Sequence, residues 1–250
     1  MTSVDVHAHY FPELYLDMLD ACHGSPGGTA GLRGGGGGST PAEIGARLAA
    51  MDAAGTDVQV ISVTPQVPYA DNAAEALGAA RVANAACVDL VRAHPTRFRA
   101  LAALPLPNGL AAGDELGRSM DELGFLGAAV TSTVLGRPLS DPEFVPLFDA
   151  LERRGAVLLV HPTGGEGSQQ AYQGLDLTSY PNIRLITVGE VPPDRPLNPL
   201  HHHAVADADG LRRAAVTFGP ERLLAGSGYP YRTQGERAAV TGDAGQLLGL

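Results

Sequence analysis

Lysine is absent from this chain of 250 residues: all 17 cationic side chains are arginine. Without lysine no Schiff base can form, and no carbamylated lysine can bridge two metals, so at most a mononuclear metal site is expected. Cysteine is nearly as scarce. Cys22 and Cys87 fall in segments of helical pattern, which suits reduced thiols and not a disulfide framework or a thiolate metal site. No apolar run approaches the roughly 20 residues of a membrane span, and the N-terminus lacks the basic and apolar regions of a signal peptide. A soluble, cytoplasmic protein is expected. Clustered cations are missing too, and a formal charge of −10 disfavours nucleic acid or an anionic membrane as partner.

What is present is a globular composition, 44% hydrophobic and 18% charged, at a length that suits one α/β barrel. Short apolar runs alternate with helical patterns. Strands are expected at Val4–His9, Val58–Val63, Phe98–Leu104, Gly127–Thr131, Ala156–Val160, Ile183–Val188 and Arg222–Ala225. Helices are expected at Pro12–Ala21, from Thr40-Pro41 to Ala54, and at Asp71–Ala93, Gly113–Leu123 and Asp209–Phe218, with a further one from Asp141-Pro142-Glu143 to Arg154. No linker divides the chain, so residues 1–250 are read as a single domain of (β/α)8, TIM-type architecture. Proline-rich or short connections after His161 and after Gly189 leave little room for helices, which predicts a distorted or partly open barrel with outer helices missing or shortened in its second half. A homodimer would cover the strand faces exposed in that way. The glycine-dominated segment 25–39 reads as a flexible loop within the domain.

The run Val4-Asp5-Val6-His7-Ala8-His9 ends in histidines two apart, and residues two apart on a strand share a side. A second apolar run, Ala156–Val160, ends in His161. Strand C-termini of a barrel converge on one face, so His7, His9 and His161 form a candidate facial set of metal ligands that leaves a position open for water. For each histidine alone, an ordinary polar strand end is the competing account.

The stretches Val4–Pro12, Met51–Val58, His161–Gly164, Pro181–Leu185, Phe218–Leu224, Gly226–Tyr231 and Leu247–Leu250 together resemble the amidohydrolase-related group that includes aminocarboxymuconate semialdehyde decarboxylase and hydroxybenzoate decarboxylases. The resemblance implies a TIM-type barrel and one divalent metal, usually zinc. The implied ligands are the paired histidines His7 and His9, His161 before proline, and an aspartate from the last strand. It also implies decarboxylation or hydrolysis of small carboxylated substrates. Two positions depart from the pattern. Gly228 stands where an aspartate is implied, and Gly189 stands where a histidine is implied after Leu185-Ile186-Thr187.

Those losses shift attention to substitutes. Glu190, one residue past the vacated strand end, is a candidate acid or base, with a solvated loop acid as the alternative. His203, alternating with His201, is a candidate replacement imidazole, with an exposed polar strand end as the alternative. Tyr229 and Arg232, with Tyr10 and Tyr231, are candidates to line a pocket and orient a carboxylate or enolate. Asp5 reads as a supporting group, and Ser62 and Thr64 as hydroxyls near the end of the second strand. The resulting expectation is a remodelled metal-assisted lyase, hydrolase or cyclising isomerase acting on a small carboxylated or enolisable molecule in a biosynthetic pathway. A metal-free pocket enzyme and an inactive homologue that binds a ligand or partner are the alternatives.

Overall fold

The computed structural model describes residues 2–22, 28–163, 175–189, 195–231 and 240–250. Eight short parallel strands form the centre: β1 Val4–His9, β2 Val58–Ser62, β3 Phe98–Ala100, β4 Gly127–Thr131, β5 Val157–His161, β6 Arg184–Val188, β7 His202–Val205 and β8 Leu223–Ala225. They hydrogen-bond in chain order as a run of three and a run of five. Both seams between the runs are joined. Ala102, just past β3, donates to Gly127 O at 2.8 Å and accepts from Ala129 N at 3.1 Å. Past β8, Gly228 N donates to His7 O at 2.8 Å and Tyr229 O accepts from His9 N at 2.7 Å. Each seam is thus bridged by isolated backbone hydrogen bonds and not by a full ladder, in keeping with the expected distorted barrel.

The helices are α1 Glu13–Cys22, α2 Pro41–Ala53, α3 Ala73–Ala93, α4 Gly109–Leu123, α5 Val145–Arg154, α6 Ala208–Phe218 and α7 Ala244–Leu248. Local chemistry fixes their starts. Thr40 accepts from Glu43 N and Pro41 occupies the first turn of α2, while Asn72, Asn108 and Asp207 cap α3, α4 and α6. Asn108 starts α4 four residues before the expected Gly113, because its side chain satisfies Ala111 N. No helix among the described residues is long and apolar enough to cross a membrane. Cys22 and Cys87 are free thiols, as read from the sequence.

The barrel interior is apolar: Val4, Val6, Val58, Val60, Leu101, Ala129, Val157, Leu159, Ile186, Val188, Ala204 and Leu224 pack together. Ala244, Leu247 and Leu248 of α7 join this cluster and close the floor. A second, larger core lies outside the strands, beneath the helices. Among the described residues no helix follows β5 or β6. Instead Leu175, Leu177 and Leu197 belong to the same outer core as Leu158, Val160 and Leu185, and Asn198 donates to the carbonyls of Tyr180 and Ile183. Loop leucines thus do the covering that outer helices normally do, so exposed strand faces supply no reason for a dimer.

Candidate metal centre

Strict alternation along β1 would defeat the site, because Val4 and Val6 face the interior and would turn His7 and His9 outward. The register of β1 on β2 removes the conflict. Val4 and Asp5 pair with Val58 and Gln59, whereas Ala8 and His9 pair with Ile61 and Ser62, so β1 carries one extra residue between the two pairs. Such a bulge reverses which side chains face inward. Ala8 consequently joins the outer pairing with Ile61, and both imidazoles enter the barrel above the valines.

His161 at the end of β5 completes the group: one ligand nitrogen from each of His7, His9 and His161 lies within 4.8 Å of the others. The ring centroids are 4.7 Å (His7–His9), 5.2 Å (His7–His161) and 5.3 Å (His9–His161) apart. His9 Nδ1 donates to the Thr64 carbonyl, and His161 Nδ1 donates to the Pro162 carbonyl at 2.8 Å. A carbonyl can only accept, so both rings carry their proton on Nδ1 and keep the Nε2 lone pair for a ligand. Burial, and then the proximity of His161, pushes His9 down to about 3, and burial lowers His161 against the opposing Pro162 carbonyl. Neutral imidazoles are the form a metal requires. Tetrahedral zinc with nitrogens at about 2.0–2.1 Å would hold them about 3.3 Å apart, within reach of small ring rotations, so the donor set fits one divalent ion.

The segment after β8 forms the facing wall. Gly226 must be glycine, because a Cβ there would lie 2.9 Å from both Ala204 Cβ and His7 Cβ. At Gly228, with φ of +66°, a Cβ would meet only the His7 ring, at 3.7 and 3.9 Å. Tyr231, half-exposed, sets its ring 5.0 Å from that of His9, and Phe11 stacks on His9 at 5.9 Å and lies 6.1 Å from Tyr231. Residues 28–39 of the glycine-rich segment are anchored nearby: Gly36 N and Gly38 N donate to Glu43, and Gly37 O accepts from Phe11 N.

The remaining candidates divide. Glu190 and Arg232 lie outside the described residues. The ring of Tyr229 lies under the Arg47 guanidinium, 4.5 Å away, so Tyr231 and not Tyr229 is the tyrosine against the imidazoles. His203 pairs with Thr187, an outward position between inward Ile186 and Val188, and stacks on Phe218 at 5.5 Å. Leu197 N donates to His201 Nδ1, leaving His201 Nε2–H to donate to Thr187 Oγ1 at 2.9 Å. The Thr187 hydroxyl then donates to His203 Nδ1 at 2.8 Å, and His203 donates on to the Gly189 backbone. His201 and His203 do share a side, but it is the outer one, and neither supplies a replacement imidazole to the centre. Sequence reasoning missed Arg47, a fully buried cation behind β1.

The family model described as Amidohydrolase matches residues 4–207. Over 117 residues the chain is 32% identical to 2-amino-3-carboxymuconate-6-semialdehyde decarboxylase of Dictyostelium discoideum, covering 46% of this chain and 33% of that protein. Matches of this kind span a third to a half of the length of the curated relatives. The crystal structure of 5-carboxyvanillate decarboxylase LigW from Sphingomonas paucimobilis has a TM-score of 0.73 at 21% identity, covering 93% of this chain and 90% of that one. A dihydroxybenzoic acid decarboxylase from Polaromonas sp. JS666, solved with bound manganese and the inhibitor 2-nitroresorcinol, has a TM-score of 0.72 at 17% identity, covering 100% and 90%. At these identities the structural likeness is one of fold, a TIM-type barrel.

Proposed function

Because this chain belongs to the amidohydrolase family, its match running over residues 4–207, we propose that it is a metal-dependent lyase that decarboxylates a small aromatic or unsaturated acid. The observation that carries the reading is the convergence of His7, His9 and His161 at the C-terminal mouth of the barrel. One divalent ion per chain is proposed, with zinc favoured by an all-imidazole set and manganese known from a relative. When bound, the ion supplies Lewis acidity and an anchor for an anionic oxygen. The three imidazoles would hold it, His9 and His161 through the Nε2 atoms left free by their Nδ1–H bonds to carbonyls. Phe11, buried against His9, backs the site, and the exposed Tyr231 ring beside it offers a planar substrate a stacking surface. Glu190 is proposed to move the proton and Arg232 to pair with a carboxylate. A role in biosynthesis remains part of the proposal.

One observation favours a second reading, in which the chain binds metal and ligand without turnover. Gly228 offers no carboxylate where the family resemblance implies one, and among the described residues a Cβ there would meet the His7 ring alone within 4 Å. Metal content by plasma mass spectrometry, alongside carbon dioxide release from a panel of hydroxybenzoates and carboxymuconate-like acids, separates the readings. The lyase reading expects about one ion per chain, lost in His7→Ala/His9→Ala together with turnover. Metal without turnover supports the second reading. A parent protein that takes up neither zinc nor manganese refutes both.

A further inference from the structure

Arg47 reaches from α2 into the layer behind β1 and is fully buried. Its Nη2 donates to the His9 carbonyl at 2.5 Å and its Nη1 to Gln59 Oε1 at 2.7 Å. Gln59 Nε2 passes the connection to Asp5 Oδ2 at 2.9 Å. Asp5 in turn accepts from His7 N at 3.2 Å, Ser227 N at 2.9 Å and Ser227 Oγ at 2.6 Å. The guanidinium also lies 4.5 Å above the Tyr229 ring. One side chain therefore touches the backbone of His9 directly and that of His7 through two relays, and it borders the 227–231 wall at Tyr229. The β1 ligands and the wall after β8 are both tied to this cation from behind, whereas His161 on β5 is held apart from it, by the Pro162 carbonyl.

A cation is an expensive way to fill such a space. Arg47 Nε is buried with no acceptor among the described residues, a desolvation cost that methionine or leucine would avoid. Burial, the largest influence, lowers the guanidinium to about 10, with Tyr229 and Asp5 opposing. Gln59 spans cation and carboxylate as a neutral dipole, so the pair is neutral overall but never in direct contact. Stability alone gives no reason to keep this arrangement, whereas control of two ligand backbones does.

We infer that Arg47 is a positioning residue for the metal centre, acting through the His9 carbonyl and the Gln59–Asp5 relay to fix where the His7 and His9 imidazoles stand. The inference rests on the metal-dependent reading above. Its test is the zinc affinity of the purified protein, by competition with a chromophoric chelator, in the parent, Arg47→Met, Arg47→Lys and Glu115→Gln. Glu115 is a control of equal burial: it sits in a network with Asn84 and Arg118 between α3 and α4. Arg47→Met is expected to weaken zinc about 10- to 100-fold, Arg47→Lys to recover part of that, and Glu115→Gln to stay within about twofold despite a lower Tm. Parent-like affinity in Arg47→Met overturns the inference. If that variant does not fold, Gln59→Met cuts the same relay with the same expectation, and parent-like affinity there overturns it equally. If the parent binds no metal, the functional reading fails by itself. Long-range nitrogen–proton spectra of the histidine rings then decide Arg47: shifted His9 signals in the variant support it, and unchanged ones overturn it.

Discussion

Acid should weaken this fold through His203, and the structure sets the size of the effect. The ring is buried with both nitrogens committed, accepting from the Thr187 hydroxyl and donating to the Gly189 backbone. A second proton would have to go on Nδ1, against a hydroxyl that already accepts from His201. Burial lowers His203 from 6.5 to about 4, with the Gly189 carbonyl opposing. The folded value lies below the unfolded one, so the stabilisation is complete above pH 6.5 and is lost as pH falls toward 4. Between pH 7.5 and pH 5 the unfolded state gains nearly a full proton at this site and the folded state about a tenth of one, which amounts to about 2 kcal/mol. His203→Asn keeps an acceptor for Thr187 and cannot titrate. Urea unfolding of metal-free parent and variant at the two pH values isolates the contribution of His203 with its coupling to His201, since groups remote from it cancel in the difference. The parent should lose about 2 kcal/mol more than the variant. Equal losses would refute the assignment of a neutral, doubly bonded His203.

Other substitutions probe other parts of the molecule. Gly226→Ala should destabilise by about 1–3 kcal/mol in thermal unfolding and weaken metal uptake, because the new methyl collides with Ala204 and His7. Leu197→Ala should cost about 2–5 kcal/mol by urea unfolding, since that leucine stands in for a helix over β5 and β6; a loss under about 0.5 kcal/mol would show that the loop covering is dispensable. Tyr231→Ala should leave stability nearly unchanged while raising KM for aromatic acids several-fold, whereas Tyr229→Ala, which uncovers Arg47, should lower Tm and metal affinity together.

Much of the barrel was legible because parallel strands buried on both faces read as short apolar runs and helix starts carry their own chemistry, as at Thr40-Pro41 and Asn72. The triad was legible because each member ends an apolar run. The covering of β5 and β6 was not, since the connections after them lack helical pattern and nothing in spacing reveals that Leu175, Leu177 and Leu197 would join the outer core. His203 was misjudged for a related reason: alternation tells which residues share a side but not which side faces in. The same gap hid the bulge, although a signal existed, because Val4 and Val6 have the opposite parity to His7 and His9 and only an added residue lets all four face inward. Arg47 gave no signal, as a lone arginine in an alanine-rich helix looks like a solvated one.

The extra residue in β1 makes the site sensitive to phase as well as to composition. Were β1 to lose its bulge by keeping the Val4–Val58 register along its whole length, every histidine would remain in the chain, yet His7 and His9 would turn into the helical layer, much as a frameshift preserves the letters and loses the message. For anyone transplanting this centre, the portable unit is consequently not the histidine pair. It is the pair together with its dislocated strand and the buried arginine that holds the dislocation in place.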